Sequence, residues 1–196
     1  ISIGIVVGEL EALMGDSLLE KYAERCDMMS QHFLLEHPFC PYGQTANLAI
    51  RREALQKSGL FRPYLTTGGD ADICWRIQQK TSFKLTYSPK AIIRHRHRST
   101  LKGLKSQWKR YGTSNLYLHE LYGVELMRDC TNKEIMYRLS RWVLKDLPKN
   151  SIKLLLGKGQ VIDLIRQPLD LFCFQSRSQG QKEAKLPEEA KTIEWM

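Results

Sequence analysis

Hydrophobic positions change their spacing along the chain, and each change predicts an element of structure. Residues 1–7, ISIGIVV, form a β-branched apolar run that is typical of an interior strand. After the capping candidates Asp16 and Ser17, apolar residues recur at roughly helical spacing. This pattern predicts one helix whose apolar positions are Leu18, Leu19, Tyr22, Met28, Met29 and Phe33.

Short strands and helices alternate through the middle of the chain. TANLAI, at 45–50, predicts a short strand, and residues 52–58 predict a helix that stops at Gly59. A helix from Asp70 to about Gln79 comes next. FKLTYS and AIIRHRH then predict two strands separated by a proline. Strands that alternate with helices indicate an α/β fold.

The C-terminal part of the chain is predicted to be helical and then polar. Ser99 or Thr100 is positioned to cap a helix that ends near residue 123. Amphipathic patterns over 133–147 and 151–166 predict two further helices, separated by Pro148. From Gln175 onward the sequence is polar and punctuated by Pro and Gly, which predicts a tail or linker.

Composition and charge narrow the class of protein. Of the 196 residues, 42% are hydrophobic and 26% are charged, which is typical of a globular domain. The net charge of +9 favours an anionic partner, such as a nucleotide-sugar phosphate, a nucleic acid or an anionic membrane face. No nucleic-acid-binding motif accompanies that charge, so no nucleic acid is expected as a partner.

Cysteine usage bears on the compartment. The five cysteines show no CxxC spacing and no pattern of a zinc ribbon or a disulfide framework. A reducing, cytoplasmic environment is the simplest interpretation. The sequence contains no run of 18 apolar residues that would predict a spanning helix, and its start lacks a signal-peptide pattern.

The stretch TTGGDADICWRI, at 66–77, is the first candidate for chemistry. Two glycines allow a close approach of the backbone to a ligand, and Asp70 then stands at a predicted helix start. Asp72 points to a different face and can pair with Arg76 four residues on. Two interpretations stay open: Asp70 caps the helix and Asp72 forms a surface pair, or one carboxylate is held free for chemistry.

Two basic stretches are further candidates. In RHRHRS, at 94–99, strand alternation puts His95 and His97 on one side, where two imidazoles could bind a divalent metal. The neighbouring arginines suit diphosphate oxygens, although a solvated basic strand end explains the pattern equally well. In QWKRYG, Gln107 and Arg110 share a helix face; the alternative is an ordinary amphipathic helix that buries its aromatic residues.

Taken together and in order, these stretches resemble the family-two glycosyltransferases. The blocks are TANLAIRREAL, SGLFRPYL, GGDADICWRI, YSPKAIIRHRHRS and QWKRYG, spread over residues 43–112. The resemblance implies an α/β fold, namely a partial GT-A (Rossmann-like) mixed sheet with flanking helices and a C-terminal helical extension. It assigns 1–125 to the acceptor and catalytic half of a GT-A domain.

The resemblance also implies roles for the acidic motif. Asp70 matches the general base of inverting members, which takes the proton from the acceptor hydroxyl. Asp72 and Arg76 resemble the residues that support the base, and Asn47 lies where the family shapes the acceptor pocket.

The basic stretches acquire roles in the same way. His95 resembles a late metal contact, for Mn²⁺ or Mg²⁺, and Arg98, Gln107 and Arg110 resemble the residues that bind the diphosphate. The implied partners are a nucleotide-sugar donor and a glycan or lipid-linked acceptor, as in the synthesis of cell-envelope polysaccharide.

Three departures qualify the resemblance. The family usually has Glu directly before the base, where this chain has Gly69, and Tyr111 replaces a Trp, which argues against a processive polysaccharide synthase. The Asp-x-Asp that carries the metal in the N-terminal, nucleotide-binding half has no counterpart here. We therefore expect that half to be missing, and a non-catalytic module that binds an acceptor or a partner is the alternative function.

Two C-terminal segments follow the part of the chain that resembles the family. Residues 126–174 mix Lys and Arg with Trp, Leu and Phe, as helices at a membrane interface do. They are predicted either to contact the inner face of a membrane or to pack on the domain or on a partner. Residues 175–196 are expected to be a polar tail.

Overall fold

In the computed structural model, which describes residues 2–196, three strands form one mixed sheet. The central strand β1, Ile3–Ala12, pairs antiparallel with β2, Leu48–Ile50, and parallel with β3, Lys84–His95. Ile5 lies opposite Ile50 on one side and Leu85 on the other. Helices flank this sheet and extend beyond it, so the α/β prediction is confirmed.

The helices follow the chain in a simple order. Their bounds are α1 Leu18–Arg25, α2 His32–Leu35, α3 Arg52–Ser58, α4 Gly69–Lys80, α5 Leu101–Tyr122, α6 Asn132–Arg141, α7 Leu147–Leu155 and α8 Val161–Glu183. One π-helical segment, Trp142–Asp146, joins α6 to α7, and short 3₁₀ turns occur at Thr45–Asn47 and Glu188–Lys191.

The main core lies between the sheet and α4. Alternation along β1 turns Ile5 and Val7 toward α4, and both are fully buried. Helical spacing brings Ile73 and Ile77 of α4 against them, and these are also fully buried. This packing fixes the position of α4 relative to the sheet edge.

The two strands predicted around residue 89 form a single strand. The register moves from Gly8 opposite Ser88 to Glu9 opposite Ile92, so residues 89–91 form a bulge. Pro89 lies in that bulge, where its missing N–H breaks no ladder hydrogen bond. The prediction of two strands is therefore wrong in number.

The helix predicted from Leu18 to Phe33 is broken in two. Ser17 caps α1 in a capping box with Glu20, as the sequence suggested. The helix ends at Arg25, because Asp27 adopts a left-handed conformation with φ 49°. The Met28 N–H then bonds the Ala23 carbonyl at 3.1 Å and closes the turn.

The C-terminal region differs most from expectation. Pro148 lies in the first turn of α7, directly after the π-helical segment, and does not interrupt the helical run; the break comes later, at Gly157. The polar tail expected from Gln175 does not occur, because α8 continues to Glu183. Leu186 and Ala190 beyond it are buried in a small apolar cluster with Leu65 and Tyr117.

The path of α8 depends on two glycines. A Cβ on Gly112 of α5 would lie 1.8 Å from the Arg177 carbonyl oxygen, and a Cβ on Gly180 would lie 1.9 Å from that of Lys109. The two helix backbones are therefore in direct contact. Gly112 provides the space in which α8 crosses α5.

Candidate active site

Gly68, and neither of the aspartates, occupies the cap position of α4. Gly68 has φ 79°, a left-handed conformation that glycine adopts without strain. Asp70 and Asp72 both lie in the first turn of the helix, where the helix dipole favours negative charge. Two residues of helix separate their side chains by about 200° around the axis. The two carboxylates therefore face different surroundings.

Asp72 is fully buried and fully paired. One carboxylate oxygen accepts from Arg62 Nε at 2.8 Å and from the Tyr122 hydroxyl at 2.5 Å. The other accepts from Arg76 Nε at 3.0 Å and Nη2 at 2.9 Å. We call Arg62, Asp72, Arg76 and Tyr122 the Asp72 cluster. The predicted pair with Arg76 is present, but it is buried and not on the surface.

Arg76 links the Asp72 cluster to neighbouring backbone carbonyl groups by hydrogen bonds. Its Nη1 donates to the Ser58 carbonyl at 2.7 Å and its Nη2 to the Leu60 carbonyl at 2.7 Å. Arg62 also donates to the Lys191 carbonyl near the C-terminus. The cluster thus ties α4 to the turn after α3 and to the last 3₁₀ turn.

Asp70 has a different environment. Burial raises the pKa of its carboxyl group above the usual range of aspartate. The backbone N–H groups of Asp70, Thr45 and Ala71 and the charge of Arg110 lower the pKa, but they do not offset the burial. A carboxylate with a raised pKa is a stronger base than an exposed one.

Two tyrosines lie close enough to Asp70 for its charge to raise their pKa values. Burial, with a contribution from Asp70, raises the pKa of both Tyr42 and Tyr111. Gln107 Nε2 donates to the Tyr111 hydroxyl oxygen at 2.8 Å. Both hydroxyls therefore remain protonated near neutral pH and can donate hydrogen bonds; that of Tyr111 donates weakly, to Met29 Sδ at 3.9 Å.

Positive charges surround the same region. The charges of Arg98 and Arg110 lower the pKa of Tyr111, and both side chains are exposed to solvent. Arg177 of α8 lowers the pKa of Tyr42. The structure thus brings the predicted residues Asp70, Arg98, Gln107 and Arg110 close together. For its centre we use the name Asp70 region, which comprises Tyr42, Asp70, Arg110, Tyr111 and Arg177.

Asn47 holds the sheet together beside this region. Its Nδ2 donates to the Glu9 carbonyl at 2.8 Å and to the Ala91 carbonyl at 2.7 Å, across the bulge of β3. The amide nitrogen is therefore committed to the backbone. Shaping of an acceptor pocket by Asn47 stays a prediction.

His95 ends β3 with an orphaned nitrogen. Its Nδ1 is buried and, in the part of the chain that the structure describes, has no hydrogen-bond partner; burial together with Arg98 lowers the pKa of the imidazole. The ring of His97 lies 6.0 Å away, centroid to centroid. Within residues 2–196, no three His, Cys, Asp or Glu side chains are grouped so as to hold a metal ion. These two imidazoles do not make a metal site by themselves.

A separate cavity of about 470 Å³ opens between α6 and α8. It mixes three carboxyl groups with two guanidinium groups, and its lining contains none of the predicted site residues: Glu134, Tyr137, Arg138, Arg141, Asp146, Gln167 and Asp170. The chemistry of the side chains, not the volume of a cavity, therefore locates the candidate site at Asp70.

Sequence reasoning missed four residues: Tyr42 and Arg177 of the Asp70 region, and Arg62 and Tyr122 of the Asp72 cluster. Tyr42 lies in a loop between Pro41 and Gly43, a context that predicts only a turn. Arg62 lies ten residues before its partner Asp72, beyond any local spacing rule. Arg177 lies in the segment that the sequence assigns to a tail. Only the unusual glycines at 112 and 180 could have indicated a close helix crossing.

Comparisons with known proteins find similar sequences over most of the chain. Residues 20–168 match the model of a family described as glycosyl transferase family group 2. A stretch of 81 residues, 41% of the chain, is 31% identical to proteins named pre-mycofactocin glycosyltransferase in Mycobacterium tuberculosis strains CDC 1551 / Oshkosh and ATCC 25618 / H37Rv. The matched stretch spans 17% of the length of those relatives.

Proposed function

The chain belongs to glycosyl transferase family group 2 and has part of a GT-A fold; from that premise, we propose that it supplies the acceptor-binding and catalytic part of a sugar-transferring enzyme. The donor is a nucleotide sugar and the acceptor is a hydroxyl group of a glycan or lipid-linked molecule. One observation carries the proposal. Asp70 is a largely buried carboxylate with a raised pKa, set among arginines and tyrosine hydroxyls.

Asp70 acts as the general base in this proposal. It takes the proton from the acceptor hydroxyl while that oxygen forms a bond to the anomeric carbon of the donor. The bond from that carbon to the diphosphate breaks on the opposite face, and its electron pair leaves with the diphosphate. The configuration at the anomeric carbon is therefore inverted.

The basic side chains bind the departing diphosphate. Arg98 and Arg110 each offer a planar set of N–H donors that match phosphate oxygens. Gln107 orients the Tyr111 hydroxyl through the 2.8 Å hydrogen bond. Dependence on Mn²⁺ or Mg²⁺ stays a prediction: His95 offers one ligand atom, and the donors among residues 2–196 do not complete a site.

The remaining predicted residues position the base. The Asp72–Arg76 pair holds the first turn of α4 against the turn at Ser58–Leu60, and Asn47 holds the strand bulge in register. Neither role requires contact with substrate. Both serve the orientation of Asp70, on which general-base catalysis depends.

Substitution Asp70→Asn tests the proposal. In the full-length protein, we expect the release of nucleoside diphosphate from the donor, in the presence of acceptor, to fall ~10²–10⁴-fold, the usual contribution of a general base. Asp16→Asn, at an exposed position outside the site, is the control. An unchanged rate in Asp70→Asn contradicts the assignment. Glycan binding without turnover in the unsubstituted protein would favour the non-catalytic module, for which Gly69 in place of the family's Glu already argues.

We also propose that the region from α6 to α7 contacts an anionic membrane surface. None of the helices described, from residue 2 to 196, is long and apolar enough to span a bilayer. The region nevertheless exposes large apolar side chains at Met136, Tyr137, Val143, Leu144, Ile152, Leu155 and Leu156. Exposed cations lie among them at Lys145, Lys149, Lys153 and Lys158. This combination is typical of an interfacial helix on anionic lipid. Location at the cytoplasmic face stays a prediction.

Sedimentation with lipid vesicles tests the membrane contact. We expect Leu144→Glu combined with Leu155→Glu to weaken binding to phosphatidylglycerol vesicles by ~10-fold or more, since apolar burial is lost and negative charge is added. Met14→Glu is the matched control, because Met14 is 84% exposed but lies outside this region. Equal binding of the two variants, or no binding of the unsubstituted protein, would contradict the proposal.

A further inference from the structure

Helix α8 brings an arginine to the Asp70 region from outside the part of the chain that matches the family. The match ends at residue 168, whereas Arg177 lies nine residues further on. The backbone of α8 is fixed at this point, because the Arg177 carbonyl oxygen faces Gly112 at a distance that leaves no room for a Cβ. The position of Arg177 is therefore built into the crossing of α5 and α8.

The side chain of Arg177 is only partly satisfied. Its Nη2 donates to Asn115 Oδ1 at 2.9 Å, whereas its Nε is buried and, within residues 2–196, has no hydrogen-bond partner. No carboxylate pairs with it in that part of the chain. The guanidinium is partly buried, and a buried N–H donor without an acceptor is costly to the fold, so its retention needs a reason.

The neighbours of Arg177 indicate what that reason is. Its charge acts on the hydroxyls of Tyr42 and Tyr111, the two tyrosines that also feel the charge of Asp70. Tyrosine hydroxyls and a guanidinium together offer several N–H and O–H donors to one small region. Such a set of donors suits an oxyanion with several lone pairs, as in a phosphate group.

We propose that Arg177 binds a phosphate oxyanion of the substrate beside Asp70, and that α8 is therefore part of the active site. This inference rests on the proposed function, and it adds a binding residue that the family motifs do not contain. The donor diphosphate is the expected source of the oxyanion; a phosphorylated acceptor has the same chemistry. A purely structural Arg177 would instead only link α8 to Asn115.

Calorimetric titration of the full-length protein with inorganic pyrophosphate tests the inference. We expect Arg177→Met to weaken binding ~10-fold or more and Arg177→Lys, which keeps the charge but loses the planar donors, to weaken it less. Arg128→Met is the matched control, because Arg128 is exposed and paired with Glu134. Glycerol 3-phosphate, titrated in parallel, distinguishes the sources: tighter binding of pyrophosphate assigns the donor, and tighter binding of the monoester assigns the acceptor.

Thermal unfolding of the same variants separates binding from a structural role. If Arg177 is kept for a ligand, Arg177→Met removes a partly buried charge and its unused Nε donor and leaves the melting temperature equal or higher. A lower melting temperature, a failure to fold, or unchanged pyrophosphate affinity would each overturn the inference.

The Asp70→Asn variant distinguishes failure of this inference from failure of the proposed function. It removes a negative charge near the anion, so pyrophosphate affinity is expected to hold or rise while transfer is lost. Lost transfer in Asp70→Asn with unchanged affinity in Arg177→Met overturns only the role of Arg177. Retained transfer in Asp70→Asn overturns the proposed function and leaves the anion contact to be judged by its affinity alone.

Discussion

The carboxylates of the Asp72 cluster and the Asp70 region lie in the same helical turn but differ in their hydrogen-bond partners. Both oxygens of Asp72 are occupied by Arg62, Arg76 and Tyr122, at distances between 2.5 and 3.0 Å. Asp70 is largely buried without a side-chain hydrogen bond among the described residues, and its pKa is raised by that burial. The carboxylate of Asp72 is paired with buried side chains and holds the fold together, whereas that of Asp70 accepts only from backbone N–H groups and remains open to a ligand or a proton.

Removal of the Asp72 carboxylate is the largest test of this comparison. Asp72→Ala leaves two arginines and a tyrosine hydroxyl facing a buried site without their acceptor. We expect the free energy of unfolding to fall by ~3–5 kcal/mol, measured by urea denaturation. Glu53→Ala is the control, since Glu53 forms an exposed pair with Lys57 and should change stability by less than ~0.5 kcal/mol. A loss as small as the control's would mean that the cluster is not structural.

The sequence could predict the local part of this arrangement and not the distant part. The i, i+4 spacing of Asp72 and Arg76 predicts their contact from helix geometry alone. The contact of Asp72 with Tyr122, 50 residues away, depends on how α5 returns past α4. Sequence spacing carries no information about such a return. One of the two interpretations open from the sequence therefore places the pair on the surface, whereas the structure buries it.

The same limit explains the C-terminal region. Residues 175–183 look like a tail because their hydrophobicity is low, and apolar content is the main signal that a sequence gives for packing. In the structure, Gly180 packs directly against the backbone at Lys109, a contact that needs a missing side chain and not an apolar one. The resemblance identifies the Asp70 motif, but it does not predict that α8 packs beside it.

Removal of the Tyr122 hydroxyl tests how tightly the Asp72 cluster is coupled. Tyr122→Phe keeps the ring and deletes the 2.5 Å hydrogen bond to Asp72. We expect a loss of ~1.5–3 kcal/mol in unfolding free energy, as for hydrogen bonds to charged groups. Tyr64→Phe, at a ring that is 57% exposed, is the matched control and should leave stability unchanged. Equal stability of the two variants would show that the arginines satisfy Asp72 without the hydroxyl.

Substitution Gly112→Ala disturbs the Asp70 region because it displaces α8. The new Cβ would lie 1.8 Å from a backbone oxygen, so α8 must move. We expect a loss of ~1–3 kcal/mol in the free energy of unfolding, the usual range for overpacking, together with weaker pyrophosphate binding because Arg177 moves too. Gly69→Ala is the control: its Cβ would meet only Phe61, at an ordinary 3.7 Å. If Gly112→Ala proved as stable as Gly69→Ala, the close crossing would be wrong.

The pH dependence of stability at Asp70 is the smallest expected effect and separates the two carboxylates most cleanly. Burial raises the pKa of folded Asp70 above the unfolded value, so the folded state binds the proton more tightly. Stability therefore falls as pH rises from the unfolded pKa through the folded pKa, and the full penalty of ionisation is present above the folded pKa.

We expect Asp70→Asn, which cannot ionise, to be at least as stable as the unsubstituted protein at pH 7. The difference in stability shrinks as the pH falls toward the pKa of Asp70 in the unfolded chain. Melting temperatures across that pH range measure this. A variant less stable at pH 7 would mean that Asp70, like Asp72, holds the fold, and that the turn contains two structural carboxylates and no base.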